Sequence, residues 1–99
     1  MQRYSDPDQV VRIATEEAFT IELTGNPTTG YTWQAEVDTN CLELIGQEFK
    51  AGGEGAGAAG TEICRFLALS AGETEIEFAY RRPWGGETRE TKRFRVVIT

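Results

Sequence analysis

The sequence predicts an all-β protein, an antiparallel β-sandwich of about seven to eight strands. Two positive observations and one absence lead there. Apolar residues recur at every second position in segment after segment, which gives each segment one buried and one wetter face. The breaks between segments are made of turn formers: Gly25–Gly30, Asp38–Asn40, Ala51–Gly60, Ala71–Gly72 and Pro83–Gly86. No stretch carries a convincing 3.6-residue apolar period, and residues 38–42 offer a single helical turn at most.

Taken in order, strands are expected over residues 9–14, 17–24, 31–37, 42–49, 61–69, 74–81 and 89–98. In the second, Phe19, Ile21 and Leu23 alternate with Thr20, Glu22 and Thr24. In the third, Trp33, Ala35 and Val37 alternate with Gln34 and Glu36. The fifth alternates less cleanly. Cys64, Phe66 and Ala68 form one set, and Ile63, Leu67 and Leu69, interrupted by Arg65, form the other, as in a strand covered on both sides. Ile76, Phe78 and Tyr80 define the sixth, and Phe94, Val96 and Ile98 the last. Short strands joined by frequent turns suit two sheets packed face to face. An immunoglobulin-like arrangement is the leading expectation and a partly open barrel the alternative.

The chain has 99 residues, the size of one domain spanning 1–99, with 39% hydrophobic and 26% charged residues. This is the composition of a folded globular chain, and a domain of this length buries roughly two-thirds of its unfolded surface. No apolar run approaches the ~20 residues needed to cross a bilayer. The start, MQRYSDPDQVVRIA, lacks an apolar signal core. It fits a cytoplasmic protein or one exported with its signal already removed.

Net charge is −6, unfavourable for a phosphate backbone. Residues 1–80 carry −10 and residues 81–99 carry +4, through Arg81, Arg82, Arg89, Lys92, Arg93 and Arg95. The plain reading of this basic segment is a solvated strand face paired with acidic neighbours such as Glu75 and Glu77. Histidine is absent, which rules out a Cys–His nucleophile pair within the chain. Cys41 and Cys64 match no metal or CxxC spacing and are expected as buried free thiols. Glu73, Glu75 and Glu77 share a strand face, with a spacing that suits a solvated edge. Catalytic residues, metal ligands and cofactors are therefore not expected.

Three loops carry the functional argument. Gly25-Asn26-Pro27-Thr28-Thr29-Gly30-Tyr31-Thr32-Trp33 joins two alternating strands. Pro27 fixes its own φ and pushes Asn26 toward extended geometry, so the loop should be stiff with two threonines at its tip. An ordinary turn has similar composition. In Ala51–Gly60 every position but Glu54 is Ala or Gly. Such a segment either lies close against another surface or is a loop that contacts nothing. Arg81-Arg82-Pro83-Trp84-Gly85-Gly86 sets a tryptophan between proline and two glycines, at a loop tip. There it either offers a binding face or folds back over the end of the sandwich.

Together these segments resemble the chagasin family of cysteine-protease inhibitors. The resemblance rests on Asn26-Pro27-Thr28-Thr29-Gly30-Tyr31, on Gly57-Ala58-Ala59-Gly60 followed by Thr61-Glu62, and on Arg82-Pro83-Trp84. It covers nearly the whole chain. The family's middle motif is usually G-x-G-G, so Gly-Ala-Ala-Gly is a departure, and Gly55-Ala56-Gly57-Ala58 is a second register. The resemblance implies an immunoglobulin-like sandwich whose three loops gather at one end and wedge into the cleft of a papain-like cysteine protease, reversibly and without a covalent bond. Thr28 and Thr29 would stand nearest the protease's catalytic pair. Trp84 would lie on an aromatic wall, and the glycine-rich loop would flank the other side. Arg82 would meet an acidic group on the protease or buttress the loop carrying Trp84, with buttressing plus a rim contact the favoured reading. The expected partner is such a protease, bound by a monomer, with no nucleic acid and no membrane. The rival readings are an immunoglobulin-like adhesion module and nucleic-acid binding through the basic segment and Trp84.

Overall fold

The computed structural model describes residues 2–25, 29–52 and 60–99. Eight strands run in chain order: β1 Gln2–Tyr4, β2 Val11–Ile13, β3 Ala18–Gly25, β4 Thr32–Glu36, β5 Leu42–Ala51, β6 Gly60–Ala68, β7 Gly72–Arg81 and β8 Glu90–Ile98. They form two four-stranded sheets, β1-β3-β6-β5 and β2-β8-β7-β4. The expected sandwich is present, and seven of its strands overlap the segments expected from the sequence.

Two details differ from the expectation. β1 was not anticipated, because three residues cannot display a period. The sheets are also mixed: β1 pairs parallel with β3, and β2 pairs parallel with β8. The chain crosses from one sheet to the other between these short strands. A turn at Asp6–Gln9 helps it do so, with Gln9 N–H donating to Asp6 O at 3.0 Å. All other pairings are antiparallel. The turn near 38–42 forms as well, with the N–H groups of Cys41 and Leu42 both donating to Asp38 O at 2.9 Å.

The inward residues are those of the sequence pattern. Phe19, Ile21, Leu23, Trp33, Cys64, Phe66, Ala68, Ile76, Phe78, Phe94, Val96 and Ile98 are all buried. Aromatic rings tie the layers together. Phe19 stacks on Phe66 at 5.6 Å, Phe66 meets Phe78 edge-on at 6.1 Å across the sheets, and Phe78 meets Phe94 at 5.7 Å. The outer face of β6, with Ile63, Arg65 and Leu67, is half-buried. On the outer face of the other sheet the basic residues of β8 meet acidic residues of β7, Arg93–Glu77 at 2.9 Å and Arg95–Glu73 at 3.5 Å. The β8 part of the basic segment is thus a solvated strand face paired with acidic neighbours. These exposed pairs contribute little to stability.

Both cysteines are free thiols; Cys64 is fully buried, and Cys41 only half-buried against the core. Burial, with the Glu62 carboxylate nearby, pushes the Cys64 thiol up to about 12. The thiolate is the reactive form, so Cys64 is inert in the folded state. Treatment of native protein with iodoacetamide near neutral pH should label Cys41 and leave Cys64 unmodified until denaturant is added. Equal labelling of the two in native buffer, read by peptide mass, would contradict this placement.

Candidate functional site

Strand pairing brings three connections to one end of the sandwich. In the first sheet, Gly25 at the end of β3, Gly60 at the start of β6 and Ala51 at the end of β5 lie side by side. In the second, Thr32 at the start of β4 faces Arg81 at the end of β7, and Tyr80 faces Glu90 at the start of β8. The β3–β4, β5–β6 and β7–β8 loops therefore leave the same pole. Asn26, Pro27, Thr28, Gly57, Ala58 and Ala59 lie outside the described residues, as do both registers of the middle motif apart from Gly60. The flanking strands fix where their loops start and end.

The contact between the first and third loops is described directly. The Arg82 carbonyl accepts from Gly85 N–H at 3.1 Å, closing a tight turn with Pro83 at its second position and Trp84 at its third. Gly85 and Gly86 continue it at φ 109° and 104°. Trp84 is 76% exposed, so it does not fold back over the sandwich. Its ring edge instead rests against Gly30, which has φ 84°; a Cβ there would stand 2.9 Å from Trp84 Cη2. Gly30 is needed for its left-handed backbone and for the approach of the indole.

Tyr31 closes the first loop from below, not at its tip. It is buried and stacks on Tyr80 at 5.4 Å, and Tyr80 packs on Trp33 at 4.7 Å. Two guanidiniums, Arg82 and Arg89, each lie 4.7 Å from the Tyr31 ring centre. Each such contact is worth about 0.5–1 kcal/mol where exposed. Arg82 precedes the turn and Arg89 follows it, so both arms of the Trp84 loop are fastened to the ring that ends the first loop. Arg82 is placed as a buttress. Arg89 was not singled out from the sequence, and no local motif marks it.

A buried carboxylate sits beneath the loops. Glu62, on β6, is 5% exposed. It accepts from Trp33 N–H at 3.0 Å and from Gln47 Nε2 at 3.1 Å, and Gln47 also donates to Trp33 O at 2.7 Å. Trp33 Nε1 donates to Thr24 O at 2.9 Å. These bonds join β3, β5 and β6 of one sheet to β4 of the other. A Cβ at Gly25 would come within 2.9 Å of the Glu62 carboxylate, so a glycine there leaves it room. Gly60 serves the same neck; a Cβ on it would meet Lys50 O at 2.3 Å and Phe49 Cζ at 2.5 Å. The signal for Glu62 was present in the sequence, since it shares parity with the buried set Cys64, Phe66 and Ala68.

A sandwich that sends its loops to one pole, with an exposed indole braced between two of them, defines a loop-presenting binding protein. Comparison with known proteins gives the same class. Residues 12–98 match the chagasin family peptidase inhibitor I42. The chain is 30% identical over 92 residues to chagasin of Trypanosoma cruzi, covering 87% of this chain and 84% of that protein. The crystal structure of the cysteine protease inhibitor EhICP2 from Entamoeba histolytica has a TM-score of 0.81 at 26% identity, covering 99% of this chain and 95% of that one. The structure of PbICP-C in complex with falcipain-2 shares the fold, with a TM-score of 0.68 at 16% identity over 99% of this chain and 90% of that one. The chain belongs to the chagasin family of peptidase inhibitors. Members of that family are protease inhibitors, not enzymes.

Burial raises the Glu62 pKa above 4.5, and the donors from Trp33 and Gln47 only partly offset it. An acid with a raised folded-state pKa binds its proton more tightly when folded. Its contribution is full below the unfolded pKa and lost as pH rises through the folded one. The stability of wild type relative to Glu62→Gln should therefore fall as pH is raised from the ordinary glutamate range toward neutrality. Glu62→Ala, which strands the Trp33 N–H, should cost about 1–3 kcal/mol. Urea unfolding midpoints across that range test both; a wild-type advantage that grows with pH would refute the first.

Proposed function

We propose that this chain is a reversible, non-covalent inhibitor of papain-like cysteine proteases and that its three-loop pole occludes the active-site cleft. The observation that carries the reading is Trp84, largely exposed, yet held against Gly30 by a loop whose two arms grip Tyr31. A side chain of that area, fixed before contact, loses little conformational freedom on docking. Membership of the chagasin family supports the same reading.

A protease cleaves when a scissile carbonyl stands about 3–3.5 Å from its nucleophile in the proper alignment. A stiff loop occupies that place while keeping its carbonyls out of line. We assign this role to Asn26, Pro27, Thr28 and Thr29, with Gly30 and Tyr31 as their support. Arg82, Pro83 and Trp84 form the second contact, with Trp84 stacked on an aromatic wall. Gly57, Ala58, Ala59 and Gly60 flank the cleft from the other side, with Gly60 at the root. The chain supplies no catalytic group and takes no part in bond making.

Titration of papain or a cathepsin L-like enzyme tests the proposal. Inhibition should follow tight reversible binding, with the inhibitor recovered uncut. Trp84→Ala should raise the inhibition constant more than tenfold, the equivalent of about 1.4 kcal/mol. Gly30→Ala should also weaken inhibition, through displacement of the indole. No inhibition at micromolar wild-type protein would leave the adhesion-module reading in its place, and an unchanged constant for Trp84→Ala would remove the stacking role.

A further inference from the structure

Among the described residues the large exposed apolar side chains are Trp84, Leu44, Ile45, Phe49 and Leu69. Trp84 belongs to the loop pole. Leu44, Ile45 and Phe49 all lie on β5, the outer strand of its sheet. The other edge strands, β1, β2 and β4, have three, three and five residues, whereas β5 has ten. An edge strand carries a row of backbone N–H and C=O groups without ladder partners.

The half of β5 beyond its irregularity at Leu44/Gly46 is regular. There Gln47 and Phe49 oppose Cys64 and Glu62, so they share the inward face, while Glu48 and Lys50 oppose Ile63 and Thr61 on the outer face. The Phe49 ring is seated on Gly60 and remains 37% exposed. Among the described residues, Lys50 forms no ion pair within 4.0 Å, whereas Glu48 meets Arg65 at 3.6 Å.

We propose that a second copy of this chain adds to β5 in antiparallel register centred on Phe49, joining two four-stranded sheets into one of eight strands. A twofold antiparallel pair sets one residue opposite its own copy. Centring on Glu48 opposes two carboxylates, and centring on Lys50 opposes two ammonium groups, both unfavourable. Centring on Gln47 sets Phe49 against Ile45, at the irregularity. Centring on Phe49 sets ring against ring on the inward face. On the outer face it sets Glu48 of each copy opposite Lys50 of the other. That register alone combines an aromatic pair with two opposite-charge pairs. The dimer departs from the monomer expected from the sequence and does not depend on the protease reading.

Sedimentation equilibrium over a wide concentration range tests it. Wild type should show a reversible monomer–dimer equilibrium. Glu48→Lys alone and Lys50→Glu alone should each raise the dimer dissociation constant about tenfold or more, and the double exchange should restore it. Urea midpoints of the variants separate this effect from misfolding. Phe49→Cys should form a disulfide-linked dimer on oxidation, because self-opposed Cα atoms stand about 4.5–5.5 Å apart, within disulfide reach. A wild type that stays monomeric at every concentration overturns the proposal. So does a dimer indifferent to either single charge reversal, or a Phe49→Cys variant that does not cross-link.

Discussion

A carboxylate taken out of water between two sheets is the constraint on which the loop pole depends. Two β-sheets packed through aliphatic and aromatic side chains are held by forces with little directional preference. Such packing leaves open how one sheet is rotated or slid over the other by small amounts. Glu62 removes that freedom at one end. Its two oxygens are fixed by Trp33 N–H and Gln47, and Gln47 returns to Trp33 O. A displacement of β4 relative to β6 would break charge-assisted bonds and leave an ion without partners in a dry place, at a cost of several kcal/mol. The starting points of the loops on the two sheets are thereby set relative to each other.

The glycines of this region follow from the same requirement. Gly25 and Gly60 face each other across adjacent strands directly beside Glu62. They close the β3–β6 ladder at its loop end, where the space left for a side chain decides the residue. Side chains there would collide with the carboxylate on one side and with the Lys50 carbonyl and Phe49 ring on the other. The neck is narrow because polar bridging and close backbone approach must coexist within it. On the opposite sheet Tyr31, Tyr80 and Trp33 form a stacked column rising from that bridge to the base of the Trp84 loop. Carboxylate, column, paired guanidiniums and indole make one continuous path from core to tip.

Much of this was legible before any coordinates. Period-two patterning located β3, β4, β7 and β8, because an apolar residue on the wrong face of a half-buried strand is expensive and the sequence avoids it; β5, exposed along nearly all its length, was marked by the turn formers on either side of it. β1 was not legible; its pairing with β3 is parallel and its place depends on the rest of the sheet. That Trp84 sits at a loop tip followed from Pro83 and Gly85, which belong in a turn and not in a strand, but whether it stands out or folds back did not. Its contact with Gly30 did not follow, since the two are neighbours only after β4 pairs with β7. Tyr31 shows how a motif can mislead about position: adjacent to loop-tip residues in sequence, it points inward. Arg89 was invisible as a site residue because cation–π packing on a distant ring leaves no local pattern.

The distribution of charge fits this division of labour. Where arginines face acidic strands, as at Arg93 and Arg95, they are neutralised by neighbours on β7. Among the described residues Arg82 and Arg89 form no ion pairs and share an aromatic ring instead. A carboxylate partner would draw either guanidinium toward itself and away from Tyr31. An aromatic face attracts the cation without consuming its hydrogen-bond donors. The arms of the Trp84 loop are thus tied to the ring that ends the first loop by an attraction that needs no acidic partner. The bracing therefore sets two positive charges at this pole of an otherwise acidic chain.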